Sequence, residues 1–136
     1  MIGDRVVSGL NRNDEFELRR KNHQAAAFIT REDIEKRDPV DLFQMLRGVP
    51  SIEVREMDGI MVAASTRSFL SGLNDKPCLL TVMVNGLIQQ SLDLRQLPSP
   101  SETHGVEVFA GAATIPLQYS GTGKGKMCGM IAVWTR

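Results

Sequence analysis

Aromatic residues are scarce in this chain: one Trp, one Tyr and five Phe make up 5% of its 136 residues. Packing therefore falls to Val, Ile, Leu, Ala and Met, within a hydrophobic share of 42%. An excess of one charge is missing too. Sixteen Lys and Arg balance sixteen Asp and Glu, so no electrostatic field gives reason to expect nucleic acid or an anionic membrane as partner. Long apolar runs are also absent. Nothing approaches the roughly 20 apolar residues of a membrane-spanning helix. The first residues, MIGDRVVSGLNRNDEFELRR, have no apolar core of the kind an export signal needs. The expectation is either a cytoplasmic protein or a chain without its export signal. Histidine and cysteine number two each: His23, His104, Cys78 and Cys128. They form no CxxC pair and no ligand-pair spacing, so neither a zinc set nor any other cofactor is expected.

The length fits one domain with a modest core. Its richest local motif is GTGKGKMCGM, residues 121–130. A phosphate-binding loop needs Gly, four residues, then Gly-Lys-Ser/Thr. Counting back from Gly125-Lys126 reaches Ser120, and Met127 follows; counting back from Gly123-Lys124 reaches Gln118, and Gly125 follows. Both frames fail at both ends, which leaves an exposed Gly/Lys connector. Ser65, Ser68 and Ser71 lack a Gly-x-Ser-x-Gly setting. A thiol enzyme would need Cys128 as nucleophile and His104 as base; the chain is read as non-enzymatic instead.

Periodicity outlines the elements. Residues 1–24 are polar, with few regular apolar positions, and read as an arm or linker. Within them Arg19, Arg20 and Lys21 read as a solvated basic run. Residues 25–136 read as the domain proper, opening with a short strand or docked arm at 25–29. Thr30-Arg31-Glu32-Asp33 fits a capping box at a helix start. Asp38-Pro39 predicts a second start, with Leu42, Phe43, Leu46 and Val49 on one helical face and Gly48 and Pro50 stopping it. Residues 51–56 alternate as a half-buried strand, Asp58-Gly59 signals a hairpin, and 60–64 return. Residues 65–77 read as a loop and LLTVMV (79–84) as a central strand closed by Asn85-Gly86. A helical turn is expected at 92–97, a strand at 106–109 with Glu107 facing water, a short helix within 112–119, and a last strand at 130–134. Together they predict an α+β fold: a small mixed β-sheet flanked by short helices and hairpins.

Cys78 and Cys128 each open a predicted strand, and strand starts at one end of a sheet can approach closely enough for a disulfide. Closing a loop of 50 residues (128 − 78) is worth roughly 4 kcal/mol in the chain-entropy model. A structural disulfide is therefore favoured over two buried free thiols, and it would place the protein outside the reducing cytoplasm.

The order of these pieces resembles a known family. FITREDIEKRDPVDLFQMLRGVPSIEV resembles the opening of the plug domain of TonB-dependent outer-membrane receptors, where I-T-x-E-x-I leads to a helix ending L-x-x-V-P-G-V. TVMVNGLI resembles that family's V-Y-V-D-G-V strand and turn. HGVEVFAGAATIPLQYSG resembles I-E-V-x-R-G-P-A-x-x-x-Y-G, and CGMIAVWTR resembles the closing G-G-V-I-x-I-x-T-K. The likeness runs from Ala25 to Arg136. Ser51 stands for the usual Gly, Asn85 for Asp and Ala110 for Arg; Arg67 to Gly72 is the nearest match to an expected Arg-Gly motif, and residues 1–24 show no TonB box. The resemblance implies a compact plug that, in full receptors, closes a barrel of about 22 strands. It implies a periplasmic or outer-membrane location, either as a piece cut from a receptor or as a stand-alone relative. Expected partners are an outer-membrane β-barrel, a TonB-type periplasmic protein and a small nutrient ligand. Arg67, Asn74, Asp75 and Tyr119, on loops 65–77 and 119–127, are the expected ligand contacts. The alternative is a periplasmic assembly module, including a homo-oligomer formed through an exposed strand edge.

Overall fold

A computed structural model describes residues 12–22, 25, 27–69, 77–111, 115–116 and 128–136, with the backbone alone at 67–69. Among the described residues the helices are α1 (Arg12–Lys21), α2 (Arg31–Arg37) and α3 (Leu42–Leu46). The strands are β1 (Ala27–Ile29), β2 (Ile52–Met57), β3 (Ile60–Phe69), β4 (Pro77–Leu79), β5 (Thr81–Val84), β6 (Leu87–Ile88), β7 (Thr103–Phe109) and β8 (Met130–Thr135). Two 3-10 turns, Leu94–Gln96 and Pro100–Glu102, join β6 to β7.

Five strands form a mixed sheet in the order β1-β7-β8-β5-β6, in which β5 and β8 run parallel and the other pairs antiparallel. The order β2-β3-β4 gives a second, antiparallel sheet. Leu80 is the crossing point between them. Its amide donates to the Ala63 carbonyl of the small sheet (2.9 Å), and the next amide, Thr81, donates to Gly129 at the root of β8 (3.1 Å). One residue thus passes the chain from sheet to sheet without an orphaned backbone donor.

The central strands β7, β8 and β5 of the large sheet are buried on both faces, and strand alternation divides their side chains. Ile131 and Val133 of β8, with Val106 and Val108 of β7 and Val82 of β5, face the main core under α2, α3 and the small sheet. Met130, Ala132 and Trp134 face the other way, into a smaller cluster with Phe109, Met83 and Phe16 of α1. The run MIAVW is continuously apolar because both of its faces are covered.

Several local expectations hold for physical reasons. Thr30 Oγ1 accepts from the Asp33 amide while Asp33 Oδ2 accepts from the Thr30 amide, a complete capping box. Asp58 (φ 54) and Gly59 (φ 86) make the β2–β3 hairpin turn, and Asn85 (φ 52) and Gly86 (φ 86) the β5–β6 turn. Such turns need positive φ at both central residues. Others are corrected. Asp38 does not start a helix; it ends α2 in the left-handed region (φ 46), its amide donating to the Ile34 carbonyl at 2.8 Å. The helix expected after Pro39 starts only at Leu42, with Asp41 at its N-cap. Strand β3 runs on to Phe69 and Pro77 opens β4, so residues 65–69 and 77, read as loop, are strand. Most of the helix expected within 112–119 lies outside the described residues.

Candidate functional site

A disulfide joins the roots of β4 and β8. Cys78 of β4 and Cys128, two residues before β8, are joined in a disulfide with their Cα atoms 5.4 Å apart. Both are buried. Segment 70–76 ends at the root of β4 and segment 117–127 at Cys128, so the bond fixes two chain re-entry points side by side. With its sulfur bonded, Cys128 supplies no thiolate, and the thiol-enzyme reading has no nucleophile.

Gly129 completes this corner. It has φ +113, and a Cβ added there would sit 2.1 Å from the Phe109 carbonyl oxygen. β8 therefore meets β7 so closely at its root that only glycine fits. On the small sheet, pairing between β3 and β4 shifts register between Ala64 and Phe69, and Arg67 lies in that irregular stretch. Its side chain, and Asn74, Asp75 and Tyr119 altogether, lie outside the described residues.

A second polar centre ties the small sheet to the connection between β6 and β7. Asp93, almost wholly buried, accepts from the Met61 amide (3.2 Å), the Arg95 amide (3.1 Å) and the Arg95 guanidinium (3.1 and 3.0 Å). Arg95 also donates to the Gly59 carbonyl at 2.7 Å. The Arg95 side chain first, then the two backbone amides, outweigh burial and hold the Asp93 carboxyl down to about 2. A depressed carboxyl contributes stability that is fully present above its unfolded value near 3.8 and is lost as pH falls through about 2. Asp93→Asn should therefore melt below wild type near neutral pH, and the gap should close between pH 3.8 and 2. A gap unchanged down to pH 2 in thermal melts would rule the charge out as the source.

The third centre was missed by sequence reasoning. Glu107, expected to face water, is fully buried, and Arg19, expected to be solvated, is nearly so. Arg19 donates from Nε to Glu107 Oε2 (2.7 Å) and from Nη2 to Oε1 (2.9 Å); Trp134 Nε1 donates to Oε1 (2.6 Å). The reason is α1, which covers the sheet face that Glu107 alternates onto. The available signal was Phe16 and Arg19 one helical turn apart, in a segment too polar overall to suggest a packed helix.

Geometry and sequence agree with one family. A model of the TonB-dependent receptor plug domain matches residues 19–125, and the chain belongs to that family. Two solved mutants of the ferric enterobactin receptor PfeA of Pseudomonas aeruginosa share the fold, with TM-scores of 0.60 and 0.61 at 23% and 21% identity. The siderophore receptor PirA of the same organism gives a TM-score of 0.52 at 25% identity. In each case the match covers 81% of this chain but only 17% or 18% of the receptor. No curated protein matches the sequence.

Proposed function

We propose that the chain is a non-enzymatic plug domain of a TonB-dependent receptor system, acting in nutrient uptake at the outer membrane or in the periplasm. The observation that carries this is the family match over residues 19–125. In this reading the unit runs from 25 to 136, residues 1–24 lead into it, and α1 is their docked part. Its partners are an outer-membrane β-barrel and a TonB-type periplasmic protein. Its ligand is a small iron chelate, the class named for PfeA and PirA. Arg67 supplies a cation for an anionic chelate, Asn74 and Asp75 hydrogen-bonding groups, and Tyr119 an amphipathic ring. The Cys78–Cys128 bond supports the reading by tying the roots of the two segments that carry three of the four.

Calorimetric titration of the oxidised chain with ferric siderophores, ferric enterobactin first, tests this. Saturable binding that weakens about tenfold in Arg67→Ala is expected, the loss of one charge-assisted contact. Oxidised protein that binds no ferric siderophore removes the ligand assignment. A second reading, an assembly module, draws on β6: an edge strand whose Leu87 (69%) and Ile88 (47%) stay exposed. A strict monomer in sedimentation at high concentration would eliminate it.

A further inference from the structure

Helix α1 is held to the sheet through side chains. Phe16 stands on Gly105, where an added Cβ would lie 2.4 Å from its ring, and meets Phe28 and His104 edge-on at 5.8 and 5.5 Å. Glu17 takes a 2.9 Å contact from His104 Nε2. Arg19 makes the two-pronged bond to Glu107 while its guanidinium lies 5.5 Å from the Trp134 ring centroid. At the start of the helix, Asn13 donates to the Thr135 carbonyl and Arg12 to that of Asn85. The covalent tie to β1 is the short segment 22–26, and residues 12–18 lie ahead of the stretch that matches the plug family.

These contacts describe a groove with its occupant in place. Its floor is a glycine bare enough for a phenyl ring. One turn further along stands a buried carboxylate that already accepts from an indole N–H and is flanked by the indole face. That combination selects arginine over lysine, because only a planar fork bonds both oxygens while stacking on the ring. A half-open state would leave either buried charge alone, which is strongly disfavoured. α1 is therefore either seated or released with Arg19 in water.

We propose that this face is a helix-accepting groove, occupied in cis by α1 as a detachable strap, and that the partner it fits is an amphipathic helix presenting Phe and Arg three residues apart. The proposal does not rest on the transport reading. Its test uses the full chain and a fluorescein-labelled peptide of residues 12–22. In Arg19→Glu two carboxylates would meet in the groove, so α1 leaves and the sheet stays folded. Emission of Trp134, the single tryptophan, then shifts to the red, and the peptide binds and reverses the shift. Wild type, its groove filled, binds the peptide at least about tenfold more weakly, since a site open a tenth of the time loses affinity by that factor. Adding Glu107→Gln to Arg19→Glu abolishes capture. Gly105→Val, which evicts Phe16 and leaves the charge pair intact, should release α1 as well. In wild type, trypsin should cut after Arg20 and Lys21 well before the sheet unfolds. The proposal is overturned if both single variants lose the sheet along with α1, if folded Arg19→Glu binds the peptide no better than wild type, or if wild-type cleavage tracks global unfolding.

Discussion

Reduced protein, or the pair Cys78→Ala with Cys128→Ala, is expected to lose about 4 kcal/mol of stability relative to the oxidised chain. The estimate follows from a bond that closes a loop between residues 50 apart, which removes about that much conformational freedom from the unfolded ensemble. Against a typical total of about 5–15 kcal/mol this is a large fraction. The two half-cystines also sit where the chain passes between sheets, beside Leu80 and Thr81, whose amides bond one to each sheet. Release therefore loosens the small sheet against the large one as well as lengthening the free loop. Alanine is the right replacement, because a serine hydroxyl at these buried positions would add an unpaired donor. Guanidinium unfolding with and without reductant gives the number. The slope with denaturant should rise in the uncrosslinked chain, whose unfolded state is more expanded. A loss below about 1 kcal/mol would mean that the sheets hold one another without the crosslink, outside the range expected for a loop of this length.

The same corner shows what the residues disclosed and what they concealed. Strands β2, β5 and β8, the Asp58-Gly59 turn and the Thr30–Asp33 capping box were legible because each rests on neighbours a few residues apart. The cysteine pairing was also legible, but Cys78 lies on β4 of the small sheet, so the bond ties the two sheets together and does not join two strands of one sheet. Asp38 was misread because Asp before Pro serves an N-cap well, yet the same short polar side chain tolerates the left-handed conformation that closes α2. Glu107 and Arg19 were misread for a different reason. Alternation says which residues share a strand face and nothing about whether that face is wet. Only the tertiary placement of α1 settles it, and α1 buries just two of its ten residues. For the candidate ligand residues, the sequence supplied chemistry and order, and their geometry rests on segments that the described residues bracket.

Gly129→Val is expected to cost about 2–6 kcal/mol, on the order of the crosslink itself. Two terms add. At φ +113 a β-branched residue is a genuine outlier, and such strain costs about 1–3 kcal/mol. The side chain must also displace fixed atoms: an added Cβ falls 2.1 Å from the Phe109 carbonyl oxygen, 3.2 Å from its carbon and 3.1 Å from the Gly111 nitrogen. All three are backbone, so no rotamer change relieves the clash, and overpacking of this kind costs about 1–3 kcal/mol more. Phe109 and Met130 are register partners, so pushing β8 from β7 here starts the separation at the first rung of a ladder that runs to Thr103 and Thr135. The same shift pulls the Gly129 carbonyl from the Thr81 amide, loosening β5 on the other side. The two terms separate by comparison with Gly59, which has φ +86 and nothing within 4 Å of an added Cβ. Gly59→Ala should cost only the backbone term, about 1 kcal/mol, and Gly129→Ala clearly more. Equal losses for the two alanine variants in denaturant unfolding would show that the β7–β8 junction yields freely, and that glycine stands there for its backbone angle alone.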